Sequence, residues 1–567
     1  MNLGNIVIVE CVSSGKNFVQ DCINRNYNPI ALQSEVGDSK EEEGYKKTMD
    51  YALSKIGANC EVITQKDTYE ETLEMVREYD PILIVPGSER GVVLATKLAN
   101  DLNLLCNPIE NLDAITLKDK MQEKLAENGL RHIRGRRVSS VQEAIDFYDE
   151  ENLTEVVTKP VYGSGSVAVK VSLNRQEMID SLEQQFNDIN RFGDDIKEIV
   201  VQERINGDEY IVNTVSHDGV PRVTTVWKYS KVKTPNGDNI YDYMESVNEF
   251  GFGEVEIVEY AFKVCDALGI KYGPVHGEYM VDEKGPVLIE VNCRPMGATM
   301  DPDYLDAISG QHETDSILDS YLNPDKFYYQ LRKGYELYEY GAVKWFIVPK
   351  DILARSYPID ISSKYLKSHF RTVLDPLDSP VKFVKTRDLE TTGGTIFLVH
   401  HDPYVIEKDI EMLRKIERFA FDFVLNEEVY KPISIDENKV YENIKLLLDE
   451  IPKYGTAVFI TDYVYDNVTM MQILIDEIDN IKGEFDCVVV NLNKSLMEIE
   501  DYEKAALLLK CSDFVKTGGV IIVPPTTYKH IPHGNIGVEA LLEIKDFKLE
   551  IAVYSLDGFV FASKRWK

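Results

Sequence analysis

Glu278 and Glu290 lie on two apolar stretches joined by Asp282-Glu283-Lys284-Gly285, and the turn between them decides what chemistry they can do. A three-residue loop, Glu283-Lys284-Gly285 with Gly285 left-handed, is a common hairpin connection. It sets Asp282 against Pro286, Glu278 against Glu290 and Asn292 against His276, with both glutamates and the amide on one face. Carboxylates directly opposite each other repel, and a divalent cation between them removes the repulsion. Two acids and an amide are oxygen donors, a set that suits Mg2+, which keeps waters and binds substrate phosphates. A two-residue turn would send the glutamates to opposite faces, and the metal reading would fail.

Three further features can serve a phosphorylated ligand. Lys159-Pro160 ends a strand and is followed by Gly163-Ser164-Gly165-Ser166, a small-residue hairpin loop able to lay backbone N–H groups over phosphates while the lysine adds a point charge. Alone, such a loop is only a turn. In Gln202-Glu203-Arg204-Ile205-Asn206-Gly207-Asp208-Glu209, a strand end and glycine turn can present main-chain groups to a base edge, and a later carboxylate can accept from ribose hydroxyls; the bland alternative is a solvated surface turn. Arg294 can steady a carboxylate or an oxyanion, or form a structural salt bridge. Cys293 alternates to the core face, His276 shares the metal face as a neighbour rather than a ligand, and His400-His401 read as loop residues.

These groups need strands to hold them. Residues 5–9 and 82–86 read as buried strands, each followed by a glycine-bearing turn (Val12–Gly15, Gly87–Gly91) and a helix, the pattern of a doubly wound α/β domain. Those turns either hold an anion at a helix N-terminus or simply turn the chain. Strands of alternating polarity at 155–171, 198–219 and 276–292 indicate α+β structure with much antiparallel sheet. The expected domains are 1–110 (α/β), 111–325, 326–431 and 432–567, with a boundary in the polar stretch Asn426–Lys439 and a resumed αβ rhythm beyond it. The composition fits a folded chain of this size: 567 residues, 44% hydrophobic, with a net charge of -34. That charge disfavours nucleic-acid and anionic-membrane partners. No apolar run is long enough to span a membrane, the N-terminus lacks the pattern of a signal peptide, and eight scattered cysteines read as reduced thiols of a cytoplasmic protein.

Taken in order, Lys120, Lys159, the GSGS loop, QERINGDE and Glu278…Glu290-x-Asn292-x-Arg294 resemble the ATP-grasp ligases, and most closely the L-amino-acid ligase branch of dipeptide-forming enzymes. The flanking stretches PGSERGVVLATKLANDLNLLCNP, GDEYIVNTVSHDG, VWKYSK and LGIKYGPVHGEYM strengthen the resemblance, which covers about residues 1–425. It implies a pre-ATP-grasp α/β domain followed by two α+β lobes that clasp ATP. It places Lys120, Lys159 and the loop Gly163, Ser164, Gly165, Ser166 at the phosphates, Gln202, Glu203 and Ile205 at the adenine, and Glu209 at the ribose. Glu278, Glu290 and Asn292 would hold Mg2+, or Mn2+ in its place, with Arg294 and Lys159 catalytic. Arg294-Pro295-Met296-Gly297-Ala298 departs from the family's Arg-Leu-x-Gly or Arg-x-Gly-Gly, which bears on the acceptor pocket.

The activity implied is ATP-dependent amide or peptide bond formation between small carboxylate and amine substrates of amino-acid type, through an acyl phosphate, with a homodimer as one assembly open to it. The rivals are an ATP-grasp carboxylase, for which no Met-Lys-Met biotinylation site is present, and a nucleotide-binding regulator that has lost catalysis. FDCVVVNLNKSLMEIEDYEKAALLLKCSDFVKTGGVIIV in the tail resembles the second half of a Rossmann-type methyltransferase. The glycine-rich first turn is replaced by YGTAVFITDYVYDN, so a degenerate packing or partner-binding domain is expected.

Overall fold

The computed structural model describes residues 2–33, 54, 60–161, 169–188, 196–233, 239–248, 252–297, 300–348, 351–354, 366–374, 381–422, 456–461, 471–491, 510–511, 513–523, 547–555 and 558–565. The GSGS loop and the stretch 426–439 lie outside them. The chain forms two compact units, 1–342 and 343–567.

The first unit begins with four parallel strands, β1 (Asn5–Val9), β2 (Asn28–Gln33), β3 (Glu61–Thr64) and β4 (Pro81–Pro86), in the order β3-β2-β1-β4. β1 reads Asn-Ile-Val-Ile-Val because both its faces are covered: Ile6 and Ile8 join one core cluster, Val7 and Val9 another. A second sheet of four strands, β5 (Gly135–Val138), β6 (Val156–Pro160), β7 (Lys170–Ser172) and β8 (Ile199–Glu203), has the order β5-β8-β6-β7 and antiparallel pairing. The third sheet of this unit holds β9 (Asp208–His217), β10 (Val220–Lys233), β11 (Asn239–Ser246), β12 (Gly273–Asp282) and β13 (Gly285–Asn292), in the order β13-β12-β9-β10-β11. One of its faces is closed by the helix Phe252–Leu268, whose Ile257, Ala261 and Val264 pack with Tyr210, Val212, Tyr279, Leu288 and Val291. The alternation that buries those residues turns Glu209, Glu278, Glu290 and Asn292 to the opposite face.

The helix Pro302–Ser309 is capped by Asp301, whose side chain accepts from the Tyr304 N–H, and ends on left-handed Gly310. Just beyond it His312 bonds Asp306 at 2.9 Å and Asp21 at 3.0 Å. Burial alone would lower its pKa, but the two carboxylates outweigh burial and raise it to about 10. A raised histidine stabilises the fold fully below its unfolded pKa of ~6.5, and the effect is lost as pH climbs through ~10. His312→Gln is therefore expected to lower the melting temperature by several degrees at pH 6 and by less than half as much at pH 10. Equal shifts at both pH values would show that the imidazolium is not the stabilising species.

In the second unit, His369–Val373 pairs antiparallel with Thr395–His400, and the helix Pro403–Asp422 lies against the strand Phe547–Ser555. Its large sheet has the order Met471–Leu474, Ala457–Thr461, Phe485–Asn491, Val515–Val523, Gly558–Arg565, Phe547–Ser555. The first four strands are parallel, and an antiparallel pair closes the edge. Among the described residues no helix is long and apolar enough to cross a membrane. All eight cysteines are free and six are buried.

Candidate active site

Glu278 stands directly opposite Glu290, and His276 opposite Asn292, but the hairpin reaches this register by another route than the sequence suggested. Asp282 pairs with Gly285, not Pro286, so the turn has two residues, with Gly285 at φ +95. Left alone, that turn would put the glutamates on opposite faces. A β-bulge between Glu278/Tyr279 and their partners, with Ile289 as the extra residue, shifts the register back by one. Two side chains meet the main chain freed next to it: the Leu288 N–H donates to Tyr260 Oη at 3.2 Å, and the Leu288 carbonyl accepts from Gln122 Nε2 at 2.9 Å.

Gln122 belongs to the helix Lys118–Glu127, whose buried face comprises Lys118, Asp119, Met121, Gln122 and Leu125. Lys118 is one turn before Gln122 on that face, and its Nζ sits 3.2 Å from Glu290 Oε2. Lys120 points the other way, half exposed, and bonds Glu123 at 2.7 Å. In this structure the helix period brings Lys118, rather than Lys120, to the cluster.

Lys159, on β6 of the neighbouring sheet, is 5% exposed and within electrostatic reach of Glu290, Glu278 and Glu209. Burial pushes its ammonium down to about 8, against the pull of those carboxylates. Burial alone would raise Glu290, but Lys118 and Lys159, with a hydrogen bond from Asn292, hold its carboxyl at about 2. Glu278 lies 3.4 Å from His276 Nε2, and burial lowers the pKa of that imidazole. Glu209 is buried, 2.6 Å from Lys231 Nζ and accepting from Tyr241 Oη at 3.0 Å; burial raises its pKa although Lys231 opposes the shift.

Beyond Asn292 the face gains a group with no sequence warning. Glu89, on the turn after β4, is 8% exposed and 3.3 Å from Arg294 Nε. The Asn292 amide lies between Glu290, to which it donates at 3.3 Å, and Glu89, to which it donates when the amide is turned over. Burial raises the Glu89 carboxyl and Arg294 opposes that shift. Arg294 Nη1 donates to the Pro295 carbonyl at 2.9 Å, and buried Glu313 accepts from the Met296 N–H at 2.7 Å. Burial pushes the Glu313 carboxyl up to about 7. Cys293, as expected, is core.

At the end of β8, Glu203 and Ile205 help line a groove of about 550 Å3 with Gly129, Leu130, Arg131, His132, Arg134 and Lys284. Arg134 grips the Glu203 carboxylate at 2.8 and 2.9 Å, and the Glu203 N–H donates to the Arg134 carbonyl at 2.9 Å. Gln202 is buried on β8. A Cβ on Gly207 would fall 2.2 Å from the Val281 carbonyl, so only glycine lets the β8–β9 turn approach β12 this closely. Among the described residues no three His, Cys, Asp or Glu side chains could hold a metal by themselves. The donor set on this face is two carboxylates and an amide oxygen, which fits a hard cation such as Mg2+.

Residues 153–303 match the sequence model of the ATP-grasp domain family, and the chain carries an ATP-grasp domain. The fold that this domain belongs to is the ATP-grasp fold. Dapdiamide A synthase of Enterobacter agglomerans is 26% identical over 372 residues, 65% of this chain and 86% of that one. In fold the chain is similar to an L-amino acid ligase from Bacillus licheniformis, with TM-score 0.57, 17% identity, and coverage of 73% of this chain and 98% of that one. An N5-carboxyaminoimidazole synthase from Aspergillus clavatus, solved with ADP and its ribonucleotide, gives TM-score 0.54, 12% identity, and coverage of 74% and 99%.

Proposed function

We propose that this protein is an ATP- and Mg2+-dependent carboxylate–amine ligase that joins amino-acid-type substrates through an acyl phosphate. The observation that carries the reading is the convergence of Lys159 from one sheet and Lys118 from a helix on Glu278, Glu290, Asn292 and Arg294 of another sheet. Two cations beside two opposed carboxylates and an amide suit a nucleotide triphosphate with its metal, and the ligase activities for which the relatives are named agree with that use.

Lys118 and Lys159 draw the phosphate oxygens into line and offset their charge. Glu278, Glu290 and Asn292 would hold Mg2+, which supplies charge compensation to the transferring phosphoryl group. A carboxylate oxygen of the acyl donor attacks the γ-phosphorus and ADP departs. The amine nitrogen then attacks the acyl carbon, Arg294 stabilises the oxyanion, and phosphate leaves as the nitrogen gives up its proton. The main chain from Gln202 to Ile205 receives the adenine and Glu209 the ribose, once Lys231 and Tyr241 yield to it. Closure over ATP shields the acyl phosphate from water.

The test is phosphate release across a panel of amino acids offered singly and in pairs, with products weighed by mass spectrometry. Release that needs two amino acids together, with a product lighter by one water than the pair, is expected. Release that instead requires bicarbonate would assign the protein to carboxylation, and MgATP binding without release on any acid would overturn the reading.

A further inference from the structure

Past β13 the chain runs through Arg294 and Met296 in neither helix nor strand, so its buried main-chain groups need partners from elsewhere. Side chains near the starts of two helices supply them. The Ser14 hydroxyl donates to the Gly297 carbonyl at 3.3 Å and accepts from the Met300 N–H at 2.9 Å, and Asn17 Nδ2 donates to the Met300 carbonyl at 3.1 Å. Glu313, the first residue of the helix Glu313–Leu322, accepts from the Met296 N–H at 2.7 Å. That end of the helix is itself fixed, because Thr314 Oγ1 donates to Asp21 at 2.6 Å beside the bond from His312 to the same carboxylate.

The Met296 N–H and the Pro295 carbonyl belong to one planar peptide unit, and that carbonyl accepts from Arg294 Nη1 at 2.9 Å. A continuous run of hydrogen bonds therefore leads from the guanidinium, through this peptide, to the Glu313 carboxylate. Resting on the ligase reading, we propose that Glu313 is a positioning residue for Arg294, acting through the Pro295–Met296 peptide. An ionised acceptor at one end of the run polarises the peptide and strengthens the bond at the other. Glu89 faces Arg294 Nε at 3.3 Å, so with Nη1 tied to Pro295 the Nη2 donors are left for the oxyanion. Protonation of Glu313 removes the charge that holds this arrangement. Burial raises its carboxyl to about 7, against the Met296 N–H and the two charged groups that act on it, Arg294 and His312. His312 is kept cationic by Asp21 and Asp306, so across neutral pH Glu313 is the group of this run that changes charge.

The experiment measures kcat at saturating substrates from pH 6 to pH 8 for wild type and for Glu313→Gln. Glutamine keeps the volume and an oxygen for the Met296 N–H but has no charge to gain. The ratio of the two rates cancels the titration of the amine substrate. It is expected to be about tenfold at pH 8 and about twofold or less at pH 6, with KM for ATP unchanged. The variant is expected to fold. A buried acid with a raised pKa costs stability as pH climbs from its unfolded value of ~4.3 to about 7 and fully above that, so removing it should leave the melting temperature at pH 8 equal or higher. A rate ratio that is the same at both pH values would reduce Glu313 to a structural support and overturn the proposal, as would a ratio near one throughout. A wild-type kcat that is flat from pH 6 to pH 8 would overturn it without any variant. Phosphate release from wild type that no pair of acid and amine stimulates would instead overturn the ligase reading, and the role of Glu313 with it.

Discussion

Glu290→Gln is expected to lower turnover by roughly a thousandfold or more, because it removes an anionic ligand from the metal that the transferring phosphoryl group depends on. The same change is also expected to lower the melting temperature of the protein without ligand. The sequence alone suggests the opposite, since facing carboxylates repel and losing one should relieve the fold. The structure reverses that expectation for Glu290: Lys118 stands 3.2 Å from it, Lys159 acts on it too, and its carboxyl is held at about 2. Its loss leaves two buried ammonium groups short of a counter-charge, which is costly. Glu278 differs. Its side chain is 23% exposed and its ring partner His276 is pushed toward the neutral form, so Glu278→Gln should lose turnover as severely with little change in melting temperature. Thermal melts with and without MgATP, alongside steady-state rates, separate the two cases. A Glu290→Gln protein that melts early yet turns over at near the wild-type rate would show that Glu290 is a structural ion-pair partner only.

Lys159→Met should give the second large effect, a loss of turnover by two or more orders of magnitude in a protein that folds at least as well as wild type. Methionine has a similar volume and no charge to desolvate, and replacing a buried ion with an apolar group is often neutral or stabilising. Lys118 remains to pair with Glu290, and the repulsion between the two lysines disappears. Calorimetric titration should show MgATP binding weakened by at least tenfold. Unchanged affinity and rate would remove Lys159 from the phosphate site.

Much of this site was legible because local pattern and tertiary geometry agree. Alternation along β12 and β13 set Glu278, Glu290 and Asn292 against one face and Cys293 against the other, since the apolar partners between them had to be buried. The turn was misjudged because a left-handed glycine suits more than one hairpin, and no residue type announces a bulge at Ile289. Lys118 could have been found: Met121 and Leu125 define the buried stripe of their helix, and stepping back along it leads to Lys118 and past Lys120. Glu89 had no such signal, because its partners Asn292 and Arg294 are brought to it only by the packing of the first sheet against the third. Gly163–Ser166 remain an expectation from sequence, as do the three boundaries between the four expected domains.

The bulge in the β12–β13 hairpin ties the site to odd and even rather than to amino-acid identity. Gain or loss of one residue between Gly285 and Glu290 would turn the carboxylate and the amide to the core side together, whereas a change of two could be taken up by the turn. Deleting Ile289 would yield a straighter, more regular hairpin, closer to what idealised design favours, whose two glutamates no longer meet. In this hairpin regularity and catalysis are opposed, and its length is free to drift only in steps of two.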